Sequence, residues 1–278
     1  GMGGMMGGGW GSGGVGEIPV GHVPLVKRST VLPDLIDILA PWFHLRSFTF
    51  FVTCFDVMMY IATMIAGHYY GGAFVKGNQM AGPSVDCLLA VGGNDTHLVR
   101  DEFQYWRLVS CVFLHAGVIH LASNLFFTSQ FAYSWELRWG SLNIGLIYII
   151  SGITGSMLSC IGSPSSVSVG ASGSLAGLIG ADLVYLYLNW NLIPMRDAHC
   201  ELCFVSGVIL LNLMMAGSEQ IDSYGHFGGL IGGAVCAFSL VKLLRPEEEP
   251  NKDLYRRVGW IGTFALWSSF FVVLYVVR

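Results

Sequence analysis

The sequence predicts an all-α polytopic membrane protein, and this prediction rests on its composition and its apolar runs. Of the 278 residues, 53% are hydrophobic and only 12% are charged, and the mean hydropathy is +0.60. Soluble domains carry roughly 25% charged residues, so this chain is too apolar for water. Seven apolar runs are each about long enough to cross a hydrocarbon core of roughly 30 Å. They cover residues 48–67, 108–129, 142–162, 172–188, 202–216, 226–244 and 258–277.

The N-terminal stretch differs in composition from the rest of the chain. Residues 1–21 are glycine-rich and lack periodicity, which predicts a flexible cytosolic tail. Residues 32–45 are interrupted by two prolines, and we interpret them as an interfacial segment. We therefore expect three parts: the tail with this segment over 1–46, a six-helix core over 47–244, and a linker with a seventh helix over 245–278.

The distribution of basic residues predicts the topology. If the N-terminus is cytosolic, ten of the 14 Lys and Arg residues fall in inner segments and four in outer segments. The positive-inside bias therefore favours a cytosolic N-terminus and a lumenal or extracellular C-terminus. The net charge is −4, and the sequence offers no basic face for nucleic acid.

The longest outer connection covers residues 69–107 and mixes glycine and proline with aromatic residues. Long loops without structure of their own are uncommon unless they are functional. We expect this first loop to be partly embedded in the membrane.

The seven cysteines are scattered and odd in number, which argues against a disulfide framework. Cys200 and Cys203 form a C-x-x-C pair, but a zinc site would need further ligands nearby. We interpret the pair as small apolar residues, and we predict no metal and no cofactor.

Polar residues inside the second run are costly in lipid and are functional candidates for that reason. His120 and Asn124 are four residues apart and share one helical face. His115 precedes His120 by five residues, about 140° around a helix, and no Glu lies between them as in H-E-x-x-H. This spacing argues against a metal clamp and favours His120 and Asn124 as paired hydrogen-bond donors.

Two ladders of glycines begin beside polar residues. The ladders are Gly173 with Gly177, and Gly229 with Gly233. Small residues at every fourth position let membrane helices pack backbone to backbone. Packing on these ladders would bring the Ser172 hydroxyl within hydrogen-bonding range of the His226 imidazole. Each residue alone is typical of helix packing, but with the donor pair of the second run they supply a nucleophile, a base and oxyanion donors for acyl transfer.

One acidic residue lies on the same run as Ser172. Asp182 follows Ser172 by ten residues, or ~15 Å along a helix that rises 1.5 Å per residue. That distance is too great for a third catalytic member. We expect Asp182 to be a solvated or hydrogen-bonded residue at the inner end of the helix.

Five motifs resemble, in order and spacing, those of the rhomboid intramembrane serine proteases, and the resemblance extends over about residues 46–277. They are Trp106-Arg107, the segment with His115, His120 and Asn124, ELRWGS with Glu136 and Arg138, GASGSLAGLIG, and GHFGGLIGG. The resemblance implies a rhomboid-like core of six helices plus one C-terminal helix. It implies Ser172 as nucleophile and His226 as general base, with no acidic third member. It also implies an oxyanion hole formed by His120, Asn124 and the Ser172 amide.

The resemblance further implies what the protein acts on. Its substrates would be single-span membrane proteins with helix-destabilising small residues, cleaved within the lipid bilayer without a metal. A helix that follows the core resembles the eukaryotic secretase-type arrangement, which favours the secretory pathway or plasma membrane over the mitochondrion. Short members of this kind are common in apicomplexan parasites.

One position departs from the family pattern. Many members have an aromatic residue one turn after the nucleophile, under the histidine ring, whereas this chain has Ala176. We expect another aromatic residue, such as Phe227 or Tyr224, to fill that place.

Peptide hydrolysis inside a bilayer requires water, so we expect Ser172 to face a water-filled cavity open to one side. The loop of residues 162–169 is polar enough to line it. The expected lining residues are Ser165, Ser166, Ser168 and Gly170.

Two other classes of protein remain open. A catalytically inactive rhomboid-like chaperone would share the spans, but such proteins typically lack the serine or the histidine, and both are present here. A transporter would also carry intramembrane polar residues, yet the charged relays expected there are nearly absent.

Overall fold

The computed structural model describes residues 45–214 and 222–276. The glycine-rich tail and interfacial segment predicted for residues 1–46 lie almost entirely outside them. The described residues are helical and contain no strand, with one isolated β-bridge between Asn94 and Ser168. In chain order the helices are α1 (Phe48–Gly67), α2 (Val85–Val91), α3 (Thr96–Arg100), α4 (Arg107–Ser110), α5 (Val118–Phe127), α6 (Tyr133–Trp139), α7 (Ser141–Gly162), α8 (Ser172–Asn189), α9 (Met195–Met214), α10 (Ser223–Leu240) and α11 (Lys252–Val276).

Six of the seven apolar runs correspond to single long helices, namely α1 and α7 to α11, and the all-α prediction is confirmed for the described residues. α1 has the bounds of its run, whereas α9 and α11 begin six or seven residues before theirs. Their first turns contain charged residues, so hydropathy marks the apolar part of a helix rather than its first residue. In length and hydropathy α1, α7 and α11 are each able to cross a bilayer.

The second run is not one straight helix, and this corrects the sequence prediction. A segment covering Arg107–Phe113 meets a second covering Val118–Trp139 at an angle of 87°. If the bent pair is one span, it is the fourth candidate among the described residues. The second segment is continuous from α5 to α6 through a π-helical turn, Thr128–Ala132. His115 therefore lies in the bend and not on the helix that carries His120.

The bend is made by contacts with the first loop. Val118 and Ile119 donate their N–H groups to the carbonyls of Ala81 and Met80, at 3.1 and 3.2 Å. These bonds satisfy two of the donors that a helix start leaves free. Gly117 approaches so closely that an added Cβ would lie 2.1 Å from Met80 O.

The first loop has structure of its own, because α2, α3 and α4 all lie within it or at its end. Arg107 is 6% exposed and holds the loop together from inside. Its Nη1 donates to Leu89 O at 2.7 Å and to Gly93 O at 2.8 Å. Its guanidinium also lies over the Trp106 ring, 4.7 Å from the ring centroid.

Helix α8 lies at the centre of the bundle and packs against α7 and α10. An added Cβ on Gly229 would lie 1.9 Å from Gly173 O, and one on Gly233 would lie 2.0 Å from Gly177 O. The two ladders therefore face each other with their backbones in contact. This is the closest approach that membrane helices use, and only glycine permits it.

Two buried acidic residues, Glu136 and Asp182, hold helices together at one end of the bundle. Glu136 accepts hydrogen bonds from Phe48 N at 2.7 Å and Thr49 N at 2.9 Å, so it caps the start of α1. Asp182 is fully buried rather than solvated, and it lies 3.4 Å from Nη1 of Arg138. Arg138 also pairs with Glu201 on α9. Burial of a carboxylate requires such a partner.

Helix α11 packs on the outside of α7 and α10. Gly259 of α11 contacts Ser239 so closely that an added Cβ would lie 2.2 Å from its hydroxyl oxygen. Near its other end, Tyr275 hydrogen-bonds Tyr105 of the first loop. The helix beyond the six-helix core thus contacts the loop that carries Trp106.

Candidate active site

Ser172 and His226 meet at the starts of two packed helices. Ser172 is the first residue of α8 and His226 lies in the first turn of α10. His226 Nε2 is 2.7 Å from Ser172 Oγ. The glycine contacts between α8 and α10 leave room for the two backbones to approach, and so they set this distance. A hydroxyl hydrogen-bonded to an imidazole can lose its proton to the ring as it attacks a carbonyl.

The hydrogen bonds of His120 indicate which of its nitrogens is the donor. Ala116 N donates to His120 Nδ1 at 3.4 Å, so Nδ1 acts as the acceptor. In a neutral imidazole the other nitrogen then carries the proton. Nε2 lies toward Gly170, where an added Cβ would be 2.8 Å from it. His120 therefore presents an N–H group next to the segment that leads into Ser172.

Asn124 lies one turn further along α5 and points the same way. It is 5% exposed, and its Nδ2 is buried without a hydrogen-bond partner in the described part of the chain. An added Cβ on Gly170 would lie 3.7 Å from this nitrogen. A buried amide donor without an acceptor is costly, which is typical of a group reserved for a ligand or a transition state.

A cavity of about 480 Å³ joins these groups. Its lining includes Ser172, His226, His120 and Asn124. Of the loop residues predicted to line it, Ser166 and Ser168 do so. Ser165 and Gly170 do not belong to the lining, and Ser163, which the sequence did not single out, does.

Gly170 instead has a backbone role. Its φ is +128°, a conformation that favours glycine. Its N–H donates to Cys111 O at 2.9 Å, and a side chain here would collide with the His120 ring. Glycine at position 170 therefore allows the backbone before α8 to lie directly against the bend and the His120 ring.

The position of the His115 side chain differs from the one that helical periodicity predicts. That interpretation turned its side chain about 140° away from His120. In the structure its ring meets the His120 ring edge to face, with centroids 5.3 Å apart. His115 is fully buried, so it supports the His120 ring from the bend.

The residues proposed to fill the place of the family's aromatic residue are both on the surface. Phe227 is 52% exposed and Tyr224 is 48% exposed. The Tyr224 ring covers Gly162, where an added Cβ would lie 2.2 Å from it, and Tyr224 also lines the cavity. Ala176 is buried within α8.

Asp222 is a residue of this site that the sequence reasoning missed. It is the N-cap of α10 and accepts from Gly225 N at 2.8 Å through Oδ1. Its other oxygen accepts a hydrogen bond from the Ser168 hydroxyl, and both residues line the cavity. An Asp directly before an apolar glycine helix is an N-cap signal, and that signal could have identified it.

No cluster of three metal-binding side chains occurs among the described residues. Cys200 and Cys203 are both exposed on α9.

The chain is similar to several known proteins. The family model described as Rhomboid domain matches residues 102–243. RHOMBOID-like protein 5 of Arabidopsis thaliana is 38% identical over 175 residues, which are 62% of this chain and 55% of that protein. RHOMBOID-like protein 2 of the same plant is 39% identical over 173 residues, which are 62% of this chain and 53% of that protein. Rhomboid-like protease 1 of Toxoplasma gondii is 31% identical over 248 residues, 87% of this chain and 80% of that protein. The chain spans just over half the length of the two plant relatives.

Proposed function

The chain belongs to the rhomboid family, and we propose that it is a serine endopeptidase that cleaves membrane proteins within or near their spans. The observation that carries this proposal is the 2.7 Å contact between Ser172 Oγ and His226 Nε2 in the lining of a cavity. A hydroxyl next to a base, with donors across the same cavity, is the arrangement that acyl transfer requires.

In the first step Ser172 Oγ attacks the carbonyl carbon of the scissile bond while His226 Nε2 takes its proton. The carbonyl oxygen becomes an anion, and His226 then gives the proton to the leaving amine. Water from the cavity repeats the sequence on the acyl-enzyme, with His226 again as base. The chemistry needs no third acidic member if the ring is held by its surroundings.

The oxyanion would be stabilised by three donors. These are His120 Nε2, Asn124 Nδ2 and the Ser172 N–H, which as the first amide of α8 has no partner within its helix. Preplaced donors in a site of low dielectric are worth more than the same donors in water. This role explains why the sequence keeps a buried amide on α5 without an acceptor.

The substrate must expose a carbonyl before it can be attacked. A helical segment engages its carbonyls in its own hydrogen bonds, so a span has to unwind locally to enter the cavity. Glycine or proline near the outer end of the span lowers that cost. We therefore propose transmembrane substrates with helix-destabilising small residues near the cut.

The site belongs to the outer end of the bundle if the N-terminus is cytosolic, as the basic residues favour. Ser172 follows the loop at the end of α7, and this loop is bridged to the first loop by Asn94 and Ser168. On that topology cleavage occurs toward the lumenal or extracellular side. The helix that follows the core favours the secretory pathway or the plasma membrane.

An inactive chaperone of the same fold is the second candidate. It would need the cavity but not the contact between Ser172 and His226, and the presence of both residues in that contact favours the protease.

The test is cleavage of a single-span reporter by the full chain in proteoliposomes. Wild-type protein should cleave it, and Ser172→Ala or His226→Ala should abolish cleavage while the melting temperature is kept, because the two residues act as a unit. A chelator should leave the rate unchanged. Cleavage by Ser172→Ala above a no-enzyme control would remove Ser172 from the mechanism, and equal binding without cleavage in all three proteins would favour the chaperone.

A further inference from the structure

Asp222 joins two segments that carry the two proposed catalytic residues. Its Oδ2 accepts from the hydroxyl of Ser168, in the loop before α8, and its Oδ1 accepts from Gly225 N in α10. Its carbonyl oxygen accepts from His226 N at 3.0 Å, the first intrahelical bond of that turn. A single side chain therefore connects the loop before Ser172 to the helix turn that holds His226.

The backbone of Ser168 is also held by hydrogen bonds to the first loop. Its N–H and C=O exchange hydrogen bonds of 2.9 Å with Asn94 of the first loop. Asn94 is 2% exposed, and its Nδ2 donates to Ser156 O on α7 at 3.0 Å. The Ser168 end of the connection is therefore anchored to the first loop and, through it, to α7.

The hydrogen bond between Ser168 and Asp222 lies close in sequence to both proposed catalytic residues. Ser172 follows Ser168 by four residues, and His226 follows Asp222 by four residues. The hydrogen bond between Ser168 and Asp222 thus joins the same two segments as the contact between Ser172 and His226, four residues earlier in each. Loss of the first bond would free the start of α10 to shift along α8, and a shift of about 1 Å at reacting atoms can cost up to 10²-fold in rate.

We propose that Asp222 is a positioning residue that, through Ser168, holds His226 at hydrogen-bonding distance from Ser172. This inference rests on the proposed function. It assigns Asp222 no contact with the ring of His226 and no share in proton transfer. It also gives Ser168 a role in geometry, in addition to its place in the lining of the cavity.

The test is a double-mutant cycle with Ser168→Ala, Asp222→Ala and the double variant, measured as kcat and KM on the reporter in proteoliposomes. Each single variant should lose about tenfold or more in kcat with KM kept, because each removes the same charge-assisted hydrogen bond. The double variant should be no slower than the slower single variant. The rate of fluorophosphonate labelling at Ser172 should fall in parallel.

Two further variants separate positioning from helix capping. Asp222→Asn keeps an acceptor for Gly225 N and a polar group for Ser168, so it should restore most of the rate. Asp222→Ser keeps the cap, since serine is a good N-cap, but is too short to reach Ser168 and should stay slow.

The possible failures are distinguishable. Wild-type protein no more active than Ser172→Ala would overturn the proposed function. Wild-type activity with single effects that multiply in the double variant, or a fully active Asp222→Ala or Asp222→Ser, would overturn only the positioning role.

Discussion

Trp267 of α11 donates a hydrogen bond from Nε1 to Thr154 Oγ1 of α7 at 2.8 Å, across 113 residues of sequence. Trp267 also packs against the main buried cluster of the bundle. The last helix is therefore joined to the core by a specific polar contact as well as by apolar surface.

Trp267→Phe should lower the stability of the protein and leave its activity intact. An aromatic ring is kept, but the indole N–H and part of the apolar volume of the side chain are lost, and the hydrogen bond alone is worth about 1 kcal/mol or less inside a membrane. The measurement is the melting temperature in detergent, with reporter cleavage alongside. Trp260→Phe on the same helix is the control, because Trp260 is 45% exposed. An equal shift in both variants would mean that the hydrogen bond contributes nothing.

Gly229→Ala should reduce both stability and cleavage. Its Cβ would lie 1.9 Å from Gly173 O, so α8 and α10 must separate, and overpacking of this kind costs about 1–3 kcal/mol. Separation at this level also pulls His226 away from Ser172. Gly207→Ala on α9 is the matched control, because among the described residues no atom outside its own helix backbone and chain neighbours lies within 4 Å of its added Cβ. Wild-type cleavage by Gly229→Ala would show that the ladder does not set the distance between the two residues.

Asn124→Ala and His120→Ala should each slow turnover by about 10² to 10³, the usual cost of one oxyanion donor. The nucleophile stays competent, so a fluorophosphonate should still label Ser172 in both variants. Turnover is measured in proteoliposomes at matched protein levels, together with the melting temperature. If both variants turned over at the wild-type rate, the oxyanion role would pass to backbone amides around Ser172.

His115→Ala should slow turnover by between about 10-fold and 10²-fold, because its ring supports that of His120. This is a larger effect than helical periodicity alone predicts. His97→Ala is the control, since that side chain is 67% exposed in the first loop. Turnover of His115→Ala equal to that of the control would mean that the ring contact has no influence on His120.

The all-helical fold and the contact between Ser172 and His226 could be predicted from local patterns. Seven apolar runs predict seven helices, and a glycine every fourth residue beside Ser172 and beside His226 predicts which faces meet. The four-residue spacing of glycines can be seen within a short stretch of sequence. The packing of α8 on α10 depends directly on this spacing.

The features that were missed depend on contacts between distant residues. Residues 108–129 form one continuous apolar run, so hydropathy does not indicate the bend at His115. The bend is stabilised by hydrogen bonds to the carbonyls of Met80 and Ala81, which are distant in sequence. The partner of Asp182 is Arg138, 44 residues earlier, and the partner of Asp222 is Ser168, 54 residues earlier. No pattern within one helix reports such pairs.

The contact between the first loop and the bend also bears on how a substrate reaches the cavity. Met80 and Ala81 cap α5, Asn78 Nδ2 donates to Ala116 O at 2.7 Å, and an added Cβ on Gly82 would lie 2.3 Å from that same oxygen. Displacing this stretch would remove the partners of backbone donors in the helix that carries both proposed oxyanion donors. The displacement would therefore disable the proposed protease as it opened the path. We therefore expect this stretch to stay closed as a fixed wall, and a membrane-embedded chain to enter from another side of the cavity.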